Sequence, residues 1–317
     1  MTSTDRSTRS SVPPQTGTDG AEPTVVDRLT PETADFARGL VRSATDADGV
    51  APLSEQSVTA IESGSEQGVR HLVSTAGYAN VIAGRSGEPA MIEAVVDPTR
   101  RRQGYGRSLL AAAFDVAREI TADPAPRVWA HGDLPGAVAL AASIGLARRR
   151  ELMQLRRPLP PAGDALPPLE IDDQTVLRTY AGAADDAEIL RVNNAAFDWH
   201  PEQGGWTQAQ ITERVRSDWF DAKGLFLASD AGDPDRLLGF HWTKVHDPSL
   251  GEVYIVGVDP AAQGRGLGRL LTLAGLHHLA ALGIGEVELY VEGDNAAALH
   301  TYERLGFTRY AIDVAYG

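Results

Sequence analysis

Gln263-Gly264-Arg265-Gly266-Leu267-Gly268 places glycine at every second position, directly after the apolar segment Val256-Gly257-Val258 and an Asp259-Pro260 turn. Glycines there strip side chains from the point where a strand gives way to the helical run that begins at Arg269. Backbone N–H groups left open in that way, with the positive end of a helix dipole behind them, hold an anion, and phosphate is the natural ligand. A single glycine-rich turn is a weak signal, because dinucleotide folds and plain tight packing use the same residues. Here the turn occurs twice. Ala94-Val95-Val96-Asp97-Pro98, then Arg101-Arg102-Gln103-Gly104-Tyr105-Gly106, repeats it at the same spacing before a helical run from Arg107.

Other reactive side chains follow the second turn. Tyr290-Val291-Glu292-Gly293-Asp294-Asn295 leads into an alanine-rich helix ending at Arg304-Leu305-Gly306, with Asp294 or Asn295 as its N-cap. Asn295 and Tyr302 share one face of that helix, about 10 Å apart along its axis. Glu252 opens the strand that ends at Val258, about 20 Å away at the usual rise. On their own these residues also fit a tyrosine packed in the core and a solvated glutamate. His241 and His246 fall on opposite faces of a strand and form no metal-ligand pattern, so no metal is assigned.

These residues need a frame, and the repeat supplies it. The two copies are separated by Arg157-Pro158-Leu159-Pro160-Pro161-Ala162-Gly163-Asp164-Ala165-Leu166-Pro167-Pro168, whose prolines oppose helix and central strand. Each copy closes on a glycine-capped helix, Ser143-Ile144-Gly145-Leu146 and Arg304-Leu305-Gly306-Phe307. The expected organisation is a disordered tail over 1–23, a first domain over 24–156, a linker over 157–170 and a second domain over 171–317. In the second copy, strands are expected near Val176 to Thr179, Leu225 to Ala228, Leu237 to His246 and Glu252 to Val258. Helices are expected near Asp185 to Val192 and Gln208 to Ser217. Antiparallel strands early and a strand–helix–strand unit late make a mixed α/β sheet. In the first copy Ala141 stands where the second has Tyr302, and Leu134 where it has Asn295. Alanine delivers no proton, so chemistry is expected in the second copy alone.

Composition narrows the classes. A chain of 317 residues suits two domains of about 150 residues each. It has no cysteine, which excludes disulfides, zinc–thiolate sites and an acyl-cysteine intermediate. A net charge of -14 opposes general binding to phosphate backbones and tolerates a cationic small substrate. No apolar run reaches the roughly 18 residues that span a bilayer, and the tail lacks a secretory core, so a cytoplasmic protein without membrane or nucleic-acid partners is expected.

The pattern Gln/Arg-x-x-Gly-x-Gly after an apolar strand resembles the acetyl-CoA loop of the GNAT acetyltransferases, and both copies carry it. The resemblance implies two tandem GNAT domains with acetyl-CoA as cosubstrate. It implies that Val256, Gly257 and Val258 lie along the pantetheine arm, with Gln263, Gly264, Arg265, Gly266, Leu267, Gly268 and Arg269 around the phosphates. Asn295, Ala296, Ala297, Ala298, Leu299 and His300 would accompany the cofactor. The first copy's counterparts are Ala94, Val95 and Val96, then Arg102, Gln103, Gly104, Tyr105, Gly106 and Arg107. A tyrosine at the place of Tyr302 protonates the departing thiolate in that superfamily.

Tandem domains with a degenerate first copy resemble the mycothiol synthase family, which acetylates the cysteinyl amine of a cysteine–glucosamine–inositol thiol. The matching segments are His200-Pro201-Glu202-Gln203-Gly204-Gly205-Trp206, Gly239-Phe240-His241-Trp242-Thr243-Lys244-Val245-His246 and Gly251-Glu252-Val253-Tyr254. Carried over, Glu55, Glu202, Lys244, Glu252 and Tyr290 contact the substrate, and Glu252 with Tyr302 is the base and acid pair. The carryover to Glu55 rests on the shorter match Asp48-Gly49-Val50-Ala51-Pro52-Leu53-Ser54-Glu55-Gln56. The expected partner is a small thiol-sugar amine, and the expected state a monomer. Another amine, or an acyl-CoA-binding module without catalysis, remains an alternative.

Overall fold

The computed structural model describes residues 22–63, 68–84, 87–121, 123–160, 166–198 and 203–317. The chain forms two compact units, the first ending at Trp129 and the second running from Ala130 to Gly317. In the first unit, β1 (Thr24–Val26), β2 (Val69–Ser74), β3 (Gly77–Ile82), β4 (Met91–Val96) and β5 (Arg127–Ala130) lie side by side in that order. The β1 to β4 neighbours are antiparallel, and β4 with β5 is parallel. The helices are α1 (Pro31–Asp48), α2 (Glu55–Ser63) and α3 (Tyr105–Ile120). Thr30 caps α1, with its hydroxyl accepting from the Thr33 N–H, and Gly49 at φ 72° ends it in the left-handed conformation that glycine adopts freely.

The second unit begins with α4 (Pro135–Ser143), β6 (Arg148–Pro158), β7 (Thr175–Thr179), α5 (Asp186–Ala196) and α6 (Gln208–Val215). β8 (Leu225–Asp230), β9 (Asp233–Asp247), β10 (Leu250–Val258), α7 (Leu267–Ala281), β11 (Glu286–Glu292), α8 (Ala296–Arg304) and β12 (Thr308–Tyr316) follow. The strand order is β12-β6-β11-β10-β9-β8-β7. The closing strand of the first copy, β6, therefore lies between the last two strands of the second, antiparallel to both. Its final residues, Arg157 and Pro158, pair with Val287 and Glu286 although they begin the proline-rich stretch.

Alternation along β11 explains its placement. Val287, Leu289 and Val291 face an apolar cluster with Leu273, Leu276 and Leu279 of α7, and each buried side chain of this size contributes roughly 1.5–3 kcal/mol. Glu286, Glu288, Tyr290 and Glu292 point the other way. On the opposite side of β8 and β9, Leu225, Leu227, Phe240 and Trp242 pack with Ile189, Val192 and Ile211 of α5 and α6. The sheet is thus covered on both faces, α7 on one and α5 with α6 on the other. Gly275 lets α7 lie close to β9, because the His241 ring occupies the place a Cβ would take.

Candidate active site

β10 and β11 run parallel and paired only through Leu250↔Glu286, Gly251↔Val287 and Glu252↔Glu288. Beyond Glu252 they separate, while β10 stays paired to β9 as far as Val258. The β11-facing edge of Val253 to Val258 is therefore open to an extended ligand. A bulge at the point of separation places Tyr254 between two registered pairs, Val253↔Thr243 and Ile255↔Trp242. Bulges of this kind bend a strand and re-aim its side chains.

At the far end of that edge, α7 starts at Leu267, two residues earlier than expected from the sequence. Gly264 and Gly266 hold φ of 81° and 78°, and a Cβ placed on Gly264, Gly266 or Gly268 would meet nothing within 4 Å. Gly266 is the N-cap and no side chain bonds to the helix start. The first N–H groups of a helix lack intrahelical partners, so this turn presents open donors beside the positive end of α7. Gln263 and Arg269 are exposed at its edge, and Arg265 donates to the Thr175 hydroxyl at 3.3 Å. Val256 and Val258 are half-buried, and Gly257 is packed so tightly that a Cβ would lie 2.7 Å from the Phe240 ring. The donor set fits a pyrophosphate.

The face of the sheet away from α7 carries the ionisable groups. Glu252 is 8% exposed and stands opposite Lys244 on β9 and Glu288 on β11. His246 Nε2 lies 2.9 Å from Glu252 Oε2 and 3.6 Å from Glu288 Oε1. The Glu252 carboxylate holds the His246 imidazolium, raising that ring above its ordinary pKa against the opposing cost of burial. Glu288 is paired with Arg156 at 2.7 Å and accepts from Gln154 at 2.8 Å, and Gln154 also donates to the Tyr290 hydroxyl at 3.0 Å. Burial, then the charges of Glu288 and Glu252, push the Tyr290 phenol upward. The Lys244 ammonium sits over the rings of Trp219 and Tyr254, at 5.3 Å and 5.7 Å from their centroids. Lys244, Glu252 and Tyr290 are thus brought onto one face.

Tyr302 is elsewhere. It packs on the α7 side, against the cluster containing Val253 and Leu289, with its ring edge-on to Phe307 at 5.8 Å. Val253 and Glu252 are neighbours on a strand and point to opposite faces. Glu252 and Tyr302 therefore approach from opposite sides of the sheet, and the gap that opens after Glu252 joins the sides. Burial pushes the Tyr302 phenol up to about 12, which keeps it protonated at neutral pH. Its hydroxyl makes no hydrogen bond among the described residues. Asn295 is the N-cap of α8, its side chain accepting from the Ala298 N–H at 3.1 Å. Ala296, Ala297 and His300 are exposed on that helix, while Ala298 and Leu299 rest on the apolar cluster.

In the first unit, β4 and β5 separate after Met91↔Arg127 and Ile92↔Val128, leaving Ala94 to Val96 on an open edge. Gly104 at φ 93° is the N-cap of α3, again without a side-chain cap. Arg102 holds φ 65°, which is costly for a residue with a Cβ. Gln103 and Arg107 are exposed, Gly106 is half-buried, and Tyr105 is buried under Arg100. Glu55 is the exposed first residue of α2 in this unit. Glu202 lies outside the described residues.

Sequence reasoning weighed His246 only as a metal ligand and passed over Glu288, Gln154 and Arg156. The polar alternation Glu286, Glu288, Tyr290, Glu292 was the available signal for Glu288. Gln154 and Arg156 had none, because their place depends on β6 crossing into the second copy's sheet. Trp219, which flanks Lys244, was likewise invisible, and Tyr254, on its other side, was noted only as part of the Gly251 to Tyr254 match.

The acetyltransferase (GNAT) family model matches residues 58–145 and again 192–307. Among curated relatives, a mycothiol acetyltransferase of Gordonia bronchialis is 69% identical over 306 residues, covering 96% of this chain and 98% of that protein. One of Nocardia farcinica is 57% identical over 297 residues, covering 91% and 95%. Among solved structures, a GCN5-related N-acetyltransferase from Sphaerobacter thermophilus superposes with a TM-score of 0.70 at 21% identity, over 93% of this chain and 95% of that one. A tandem GNAT protein from the clavulanic acid biosynthesis pathway gives 0.67 at 20%, over 93% and 98%. At that identity the two structures show a shared fold.

Proposed function

The chain belongs to the acetyltransferase (GNAT) family, and from that premise we propose that its second copy moves an acetyl group from acetyl-CoA to the cysteinyl amine of desacetylmycothiol, giving mycothiol and CoA. The observation that carries this reading is the parting of β10 and β11 immediately after Glu252, with an uncapped glycine turn at the far end of the exposed strand edge. The identity to mycothiol acetyltransferases over nearly the whole chain supports the choice of amine.

In this proposal Val256, Gly257 and Val258 carry the pantetheine, and the turn from Gln263 to Arg269 carries the pyrophosphate, with Asn295 to His300 beside it. Ala94 to Val96 and Arg102 to Arg107 offer the first copy a similar site. Glu252 takes a proton from the substrate ammonium; the neutral amine attacks the thioester carbon, the C–S bond breaks, Tyr302 protonates the thiolate, and the second proton shed by the new amide nitrogen restores the phenol. Glu55, Glu202, Lys244, Glu252 and Tyr290 hold the substrate, the carboxylates taking ammonium and sugar hydroxyls and Lys244 donating to oxygen. The reaction needs no metal, and the protein is a cytoplasmic monomer. No described helix is long and apolar enough to cross a membrane. Our division of the repeat places domains over 24–156 and 171–317 around a linker at 157–170; the expected tail over 1–23 lies, up to residue 21, outside the described residues.

Steady-state release of CoA with desacetylmycothiol, beside glucosamine and cysteine, tests the reading. Turnover strongly favouring desacetylmycothiol is expected. Equal turnover of the simple amines would remove the substrate assignment, and none with any amine would leave an acyl-CoA-binding module.

A further inference from the structure

We propose that His246 takes the proton lost by the substrate ammonium from Glu252 and passes it to solvent; this rests on Glu252 being the group that meets the amine.

The geometry supplies the path. Glu252 is nearly buried, whereas 32% of the His246 side chain is exposed, and the 2.9 Å bond between them joins interior to solvent. No permanently charged residue competes for Glu252 among the described residues. Lys244 is opposite in register, but its ammonium is directed over Trp219 and Tyr254 and makes no ion pair with Glu252. Arg156 is engaged by Glu288 at 2.7 Å and Glu286 at 3.0 Å. The partner of Glu252 is thus a group that itself binds and releases protons near neutral pH.

Proton affinities favour the relay over the carboxylate alone. A carboxylic acid is ordinarily a far stronger acid than an α-ammonium, so a carboxylate alone is a poor resting place for its proton. An ordinary imidazole, near 6.5, lies within a factor of about 20 of an α-ammonium near 7.8. The groups facing His246 reduce it further: Glu252 from β10, Glu288 from β11 and Asp247 beside it on β9 favour the imidazolium, and their sum outweighs burial and Lys244, which oppose it.

The ion pair first gives its Nε2 proton to water, leaving a carboxylate and a neutral imidazole in its Nδ1–H tautomer, with Nε2 open to accept. The ammonium N–H bond breaks as an O–H bond forms on Glu252. That hydrogen then passes to His246 Nε2, restoring the carboxylate, and the exposed imidazolium returns one proton to water.

Glu252→Gln, His246→Gln and His246→Gly are compared by kcat, KM for acetyl-CoA and pH profile with desacetylmycothiol. Glutamine at 246 still donates to Glu252 but carries no proton. His246→Gln is expected to lower kcat about 10- to 100-fold near neutral pH, to leave the acetyl-CoA KM unchanged and to alter the acidic limb of the profile. Added imidazole is expected to restore part of the His246→Gly rate. Loss in Glu252→Gln with full activity and an unaltered profile in His246→Gln overturns the relay and leaves Glu252 as base. Loss in the His246 variants without rescue by imidazole assigns the ring to positioning alone and overturns the relay. Full activity in Glu252→Gln overturns both readings.

Discussion

The two copies share the glycine turn and the parting of parallel strands, and differ at the point where the strands part. Counting back along the hairpin from Gly77↔Val96 and Gly239↔Val258, Ile82 and Met91 occupy the places of Lys244 and Glu252. In the helix that closes the copy Ala141 replaces Tyr302, and the match is structural: Ala141 O accepts from Leu146 N as Tyr302 O accepts from Phe307 N, both at 3.0 Å. The first copy therefore lacks counterparts of the proposed base, its cationic neighbour and the proposed acid together. It keeps the uncapped glycine turn, which costs one residue type at two positions, and drops those side chains. Retaining a binding element requires only backbone geometry, whereas retaining catalysis requires several side chains at once.

That contrast breaks most visibly at Glu252. Glu252→Gln is expected to lower kcat/KM about 100- to 10,000-fold, most of all below neutral pH where the amine is protonated, as a pH series of initial rates will show. Tyr302→Phe is expected to lower kcat by about 100-fold while leaving the acetyl-CoA dissociation constant within about twofold, measured by calorimetry. Unchanged turnover would place the tyrosine in packing, as its contact with Phe307 allows.

Smaller effects sharpen the comparison of the turns. Gly266→Val forces a β-branched residue to φ 78°, and acetyl-CoA affinity in the second copy is expected to fall at least about tenfold. Gly104→Val, at φ 93°, does the same for any site in the first. Calorimetric stoichiometry of the two variants counts the sites. Gly275→Ala collides with His241, which is fixed by its bond to Leu271 O at 2.7 Å, and is expected to cost about 1–3 kcal/mol in urea unfolding.

The smallest effect concerns acid stability. Burial lowers His241 to about 4, with the nearby His278 adding to the shift. Its folded value lies below the unfolded 6.5, so the unfolded chain binds the extra proton first. Stability from this group is complete above pH 6.5 and declines as pH falls from there toward 4. His241→Phe is expected to flatten the pH dependence of the urea midpoint over that window.

Much of the second copy was legible because its signals are local. The strand expected from Glu252 to Val258 is β10 within two residues, the strand near Val176 to Thr179 is β7 with one residue added, and the helix near Gln208 is α6, whose capping box joins Thr207 and Gln210. The bulge at Tyr254 was not legible. Sequence spacing alone pairs Glu252 with Ala90, while the register pairs it with Met91.

The sequence by itself determined the duplication, which is a comparison of two segments of the chain, and the glycine turns, the helix caps and the alternation that buries one side of each strand, since each of these depends on residues within a few positions of one another. Only the tertiary structure decided that β6 supplies Gln154 and Arg156 beside Glu288, that His246 meets Glu252, and that Glu252 and Tyr302 reach the gap from opposite faces. Those contacts join strands far apart in the chain, and their register is set by a bulge and by the strand partners that no local pattern encodes.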